Sequence, residues 1–245
     1  MGESSTVLSL RGATKRFGGL VAVNELDFDV TEHEVLGLIG PNGSGKSTTL
    51  NLISGSLRVS EGEILLRDQL ISDLPAQKIA RKGVARTFQL VRMLPSMSVM
   101  ENVMAGAVFG HRRRWGREAE RQVMKMLELV GLERRAAARP SELTYIDTKR
   151  VELARVLVGD PKVLLLDEWL AGLNPTELEE GIALIKRLRE EGRTIVLVEH
   201  VMDAIRSLCD RCVVMSSGRK IAEGPTAQVL SDPEVIRAYL GEDDA

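Results

Sequence analysis

The stretch Gly40-Pro41-Asn42-Gly43-Ser44-Gly45-Lys46-Ser47, followed by Thr48, constrains this chain more than any other feature. It fits the spacing G-x-x-x-x-G-K-[ST], in which glycines turn backbone N–H groups inward on phosphates, the lysine reaches the β- and γ-oxygens and the hydroxyl ligates Mg2+. The apolar run Val35-Leu36-Gly37-Leu38-Ile39 reads as a buried strand feeding the loop. Ser47-Thr48-Thr49-Leu50-Asn51-Leu52-Ile53 reads as the helix whose N-terminal dipole faces the anion. Strand, loop and helix in that order predict an α/β fold with a triphosphate cradle.

Kinases, GTPases and motors share such a cradle, so the second half of the chain has to choose among them. Val163-Leu164-Leu165-Leu166-Asp167-Glu168 ends a buried strand in two carboxylates. The first suits holding Mg2+ through water, and the second orienting or deprotonating an attacking water. Two unpaired charges at the end of an apolar strand are costly to bury, so a metal and a phosphate are their expected compensation. The run Ile195-Val196-Leu197-Val198 ends in Glu199-His200, and the histidine is expected on the same carboxyl edge of the sheet, where α/β ligands bind.

The apolar runs at 163–166 and 195–198, separated by a helical stretch from about Pro175 to Glu190, have the pattern of parallel strands buried on both faces. Glu25-Leu26-Asp27-Phe28-Asp29-Val30 alternates strictly, as a strand with one wet face does. Glu61-Gly62-Glu63-Ile64-Leu65-Leu66 can pair nearby, which predicts an antiparallel layer. From about Leu90 to Gly159 the strand signal vanishes, and Val123, Met126, Leu127 and Val130 fall at helical spacing. The chain is therefore expected to form a single domain over 1–245. Residues 1–89 supply the antiparallel β layer and the first half of the core, 90–159 an inserted α-helical subdomain, and 160–245 the second half of the core with C-terminal helices.

The net charge of −2 argues against general capture of nucleic acid, which needs a basic face. No run approaches the roughly 20 apolar residues that span a bilayer, and Met1-Gly2-Glu3-Ser4-Ser5-Thr6 lacks the segments of a secretory signal. A soluble chain on the cytoplasmic side is the expectation. Cys209 and Cys212 form a lone C-x-x-C and read as core thiols rather than a redox or zinc site. The run His111-Arg112-Arg113-Arg114-Trp115-Gly116-Arg117 reads as a solvated face, with contact to anionic lipid or a partner as the alternative.

With these residues in view, the chain resembles the ATP-binding subunits of ABC transporters over nearly its whole length. Gly40 to Thr48 resembles the Walker A loop, Phe17 the aromatic that stacks on adenine, and Gln89 in Arg86-Thr87-Phe88-Gln89 the Q-loop glutamine, which also reaches the metal. Asp167 and Glu168 resemble the Walker B aspartate and catalytic glutamate, Ala171-Gly172-Leu173-Asn174 the D-loop, and His200 the switch histidine. The resemblance implies a P-loop NTPase (RecA-like) core, ATP and Mg2+ as ligands, and a pair of ATPase subunits sandwiching two nucleotides. It also implies a separate membrane permease, an extracytoplasmic solute-binding protein acting indirectly, and a peripheral location on the cytoplasmic face of the membrane. Phe17-Gly18-Gly19-Leu20-Val21-Ala22-Val23, Glu101-Asn102-Val103, Ala171 to Pro175 and Ala238-Tyr239-Leu240-Gly241 are similar to the branch that imports branched-chain amino acids. A related solute such as urea or an amide, a lipid exporter, and a non-transport member of the family are the alternatives.

The family signature should fall at Leu143-Thr144-Tyr145-Ile146-Asp147, which in the family reaches across the dimer to the other subunit's γ-phosphate. Thr144 keeps a hydroxyl. Ile146 is expected to obstruct close approach to a phosphate and to resist positive φ, and Asp147 to add a like charge. Two outcomes are open: Thr144 and the helix dipole suffice, helped by Lys149 or Arg150, or the chain pairs with a different ATPase and only the nucleotide on its own loop turns over fast. The intact Lys46, Asp167, Glu168 and His200 favour the second.

Overall fold

The computed structural model describes residues 5–89 and 91–240. Strands β1 (Thr6–Phe17), β2 (Leu20–Thr31) and β3 (Val35–Ile39) precede helix α1 (Lys46–Ile53), followed by β4 (Glu61–Leu66), β5 (Gln69–Leu70), α2 (Ala76–Lys82) and β6 (Val84–Arg86). Helices α3 (Val99–Phe109), α4 (Gly116–Leu129) and α5 (Tyr145–Leu157) come next, with short 3-10 turns at Glu133–Arg135 and Pro140–Glu142. The chain then alternates β7 (Val163–Asp167), α6 (Pro175–Glu190), β8 (Ile195–Val198) and α7 (Met202–Leu208). It closes with β9 (Arg211–Ser216), β10 (Arg219–Pro225), α8 (Thr226–Val229) and α9 (Pro233–Leu240).

The first sheet is antiparallel, ordered β2-β1-β4-β5. The segment at 61–66 pairs with β1, Leu10 opposite Ile64, and β1 separates it from β2. The sequence does not announce β1, because register shifts between Leu10 and Ala13 and again toward Lys15 break its period-two pattern. The second sheet is ordered β10-β9-β3-β8-β7-β6, parallel from β9 to β6 with β10 antiparallel at one edge.

Its central strands are apolar throughout because each face meets a different core. Leu164, Leu166, Ile195 and Leu197 pack toward the helices, while Leu36, Leu38, Leu165 and Val196 pack with Leu8, Leu10, Leu26 and Ile64 of the antiparallel layer. On the helical side Val123, Met126, Leu127 and Val130 are buried with Val99, Val103 and Val151. Helix α6 begins where Pro175 suggested, its first turn closed by a reciprocal pair: Asn174 accepts from the Glu177 N–H and Glu177 from the Asn174 N–H, both at 3.0 Å. Parallel register sets Asp167 opposite Val198 and Arg86 opposite Leu165, so β3, β6, β7 and β8 deliver their following loops to one edge. Among the described residues no helix is long and apolar enough to cross a membrane.

Candidate nucleotide site

From β3 the chain turns through a loop that only glycine can make. Gly40 and Gly45 have φ of +146° and +103°, and a Cβ would lie 2.0 Å from the Met215 carbonyl oxygen at the first and 2.5 Å from that of Ala22 at the second. Helix α1 begins at Gly45 with no side-chain cap and no acidic residue in its first turn, leaving its N–H groups for an anion. Lys46 folds back into the loop, Nζ donating to the carbonyls of Gly40 (2.8 Å) and Pro41 (2.9 Å). Burial lowers the basicity of its ammonium, with Glu168 and Asp167 pulling the other way. A cleft of about 450 Å3 opens over this loop, walled by Asn42 to Thr48, Leu20, Ala22, Glu168, His200 and Gly218.

The two carboxylates at the end of β7 diverge. Asp167 turns inward and accepts from Arg86 Nη2 at 2.7 Å. Glu168, at φ +48°, turns toward the cleft, where Gln89 Nε2 donates to Oε2 at 2.6 Å and His200 Nε2 lies 2.9 Å from Oε1. Within the protein, a guanidinium from β6 pairs with Asp167, and an amide and an imidazole hold Glu168. In the sequence Arg86 stands out only as part of the segment leading to Gln89. Phe17 sits at the end of β1, 45% exposed, across the Gly18-Gly19 turn from Leu20; Leu20 walls the cleft and Phe17 does not.

The signature segment corrects three expectations. Ile146 lies in the first turn of α5, 6% exposed and packed into the helical core, without positive φ, so it does not project from the outward face. Asp147 is buried and neutralised by Arg135 (3.5 Å) and Arg150 (3.9 Å). Lys149 points inward, Nζ donating to the Trp169 carbonyl at 2.9 Å, and Arg150 reaches Glu180, so both are engaged within this chain. Thr144 stays exposed as the N-cap, accepting from the Asp147 N–H at 3.3 Å, and Tyr145 beside it lies against Gly172.

Glu199 escaped notice in the sequence because it lies between a strand and a histidine already singled out. It is buried behind the site, accepts the Leu170 N–H at 2.7 Å, and burial pushes its carboxyl up to about 7. Cys209 and Cys212 are buried, their sulfurs against Gly37. The run from His111 does not join the cleft: His111 bonds the Arg81 carbonyl, Arg112 pairs with Asp160 and Arg114 with Glu118, while Arg112, Arg113, Trp115 and Arg117 are exposed.

Comparison with known proteins decides the family. Residues 23–171 match the family model described as ABC transporter. The chain belongs to the ABC transporter ATP-binding family. The end of this cassette, residues 219–245, matches a second model, branched-chain amino acid ATP-binding cassette transporter. The cassette is 42% identical to the high-affinity branched-chain amino acid transport ATP-binding protein LivG of Escherichia coli K12 and 41% identical to BraF of Pseudomonas aeruginosa, in each case across 98% of this chain and 99% of the relative. Among solved structures it is similar to the ADP conformation of MJ1267, an ATP-binding cassette of an ABC transporter. That match has a TM-score of 0.89 at 30% identity over 98% of this chain and 100% of that one. A dimeric post-hydrolysis cassette, MJ0796 with ADP and Pi, matches with a TM-score of 0.80 at 28% identity over 89% and 98%. The cassette is an ABC-type ATPase with the ABC ATPase fold.

Proposed function

We propose that this cassette is the motor subunit of an importer, coupling MgATP hydrolysis to uptake of a branched-chain amino acid through a separate membrane permease. The observation that carries the reading is the Glu168 carboxylate, gripped by Gln89 and His200 over the cleft that the glycine loop and Lys46 close. Lys46, released from the Gly40 and Pro41 carbonyls, would hold the β- and γ-phosphates, with the amides of Gly40 to Thr48 around them. Ser47, Asp167 and Gln89 offer oxygen donors of the kind Mg2+ prefers, and the Arg86 pair occupies only Oδ2 of Asp167. When bound, the metal neutralises charge on the transferring phosphoryl group. Glu168 would orient or deprotonate the attacking water, His200 would contact the terminal phosphate, and Phe17, exposed beside the cleft rather than in its wall, would stack on the base.

Thr144 and the N-terminus of α5 face outward toward the nucleotide of a second ATPase subunit. With Ile146 turned into the core, the steric ground for a one-sided pair is gone, and a pair of identical chains becomes the simpler assembly. A groove of about 390 Å3 between the core and the helical block, walled by Phe88, Ala105, Gly106, Phe109 and Arg155, suits a short helix of the permease. Phe109 is 70% exposed there. On this reading the cassette works at the cytoplasmic face of the membrane, with the solute-binding protein on the far side.

Glu168→Gln tests the reading. It is expected to lower ATP hydrolysis by about 100-fold to 10,000-fold while ATP stays bound. A variant that fails to retain ATP, or one that keeps its hydrolysis, removes Glu168 from the mechanism.

A further inference from the structure

Arg86 ends β6 one strand away from Asp167. Its Nη2 donates to Asp167 Oδ2 at 2.7 Å, and its Nη1 to Asn51 Oδ1 at 2.7 Å and Ser54 Oγ at 3.2 Å, in and just beyond α1. The side chains of Arg86 and Asp167 are each 7% exposed. The guanidinium carbon lies 5.2 Å from the centroid of the Phe88 ring, and Nε is buried with no hydrogen-bond partner among the described residues. Arg86, Phe88 and Ser54 also wall the apolar groove. One side chain thus touches the strand-end carboxylate, the phosphate-loop helix and the groove.

We propose that Arg86 is a positioning residue: an internal cation that a divalent metal must contend with at Asp167, braced by Phe88 so that events in the groove alter how tightly the metal binds. The inference rests on the metal role proposed for Asp167. A guanidinium at hydrogen-bond distance adds positive charge where a divalent cation enters, and burial leaves that repulsion weakly screened. Arg86 cannot simply leave, because separating a buried ion pair strands an uncompensated charge. The unpartnered Nε means that the present arrangement leaves the guanidinium incompletely bonded. A shift of Phe88, or an acceptor entering the groove, therefore gives it somewhere to go.

The full chain titrated with Mg2+ in the presence of a fluorescent ATP analogue gives a Mg2+ midpoint, read against nucleotide affinity in EDTA. Arg86→Gln keeps an N–H for Asp167 and removes the charge; it is expected to lower the midpoint about fivefold or more and to leave the EDTA affinity within about twofold. Arg86→Lys keeps the charge and is expected to stay within about twofold of the parent. Phe88→Ala is expected to shift the midpoint about threefold in the parent and not in the Arg86→Gln background, as coupled residues do. Equal shifts in the Gln and Lys variants, a Gln midpoint no lower than the parent's, or a Phe88 effect that persists without Arg86 overturns the proposal. Phe88 is half exposed, so Phe88→Ala carries the test where Arg86→Gln does not fold, and an unmoved midpoint there overturns the link to the groove. A parent whose nucleotide affinity ignores Mg2+ removes the metal role of Asp167 along with it.

Discussion

Burial holds the Glu199 carboxyl at about 7, directly behind the strand end that carries His200. In the unfolded chain the same group loses its proton near 4.5, so between 4.5 and about 7 the folded state carries an extra proton and stability falls as pH rises. Above that window the charged form costs about 3 kcal/mol, lessened by any relaxation around it. Glu199→Gln keeps a carbonyl oxygen for the Leu170 N–H and cannot ionise. Thermal melts are therefore expected to coincide near pH 5 and to separate by several degrees at pH 8, the variant melting higher. A gap of the same size at both pH values would show that ionisation is not its cause. The preceding strand announced His200, but nothing in Glu199-His200 distinguishes a solvated glutamate from a buried one. That difference comes from the segment at Glu168 to Leu170 packing over it.

At the scale of elements, the close crossing of α3 and α5 supports both the helical block and the groove. A Cβ on Gly106 would lie 1.9 Å from the Arg155 carbonyl oxygen, so Gly106→Ala has to push the helices apart or bend one of them. A loss of about 1 to 3 kcal/mol is expected, read as a lower urea midpoint with unchanged slope. A midpoint equal to the parent's would mean that the helices already have room. The periodicity of α4 was legible because an amphipathic helix repeats its apolar face whatever it packs against. The orientation of Ile146 was not, since it depends on where α5 begins: Thr144 caps the helix, which places residue 146 in its first turn, facing the core. Strand β1 was missed for a related reason, its bulges cancelling the alternation by which strands are recognised.

For the whole molecule, the outward face of Thr144 and Tyr145 predicts assembly controlled by nucleotide. Glu168→Gln with MgATP is expected to run at twice the monomer mass by light scattering and to return to monomer when ATP is omitted. A persistent monomer that still holds ATP would point to a different chain as its partner. The groove takes Arg155 from α5 and Arg86 from the end of β6, so both the helix that begins after Thr144 and the strand edge that carries Asp167 reach it.

Order along the chain was enough to read the phosphate cradle, the buried strands that end in Asp167-Glu168 and His200, and the helical block, because each rests on local geometry: glycine dihedrals, strand burial, helix period. Tertiary structure alone decided the pairing of Arg86 with Asp167, 81 residues apart, and the grip of Gln89 and His200 on Glu168. It also buried Ile146, Asp147 and Lys149 within the chain. Those contacts depend on which strands are neighbours and in what register, and on the rotational phase of one helix, quantities set by the packing of the entire chain and written in no single stretch of it.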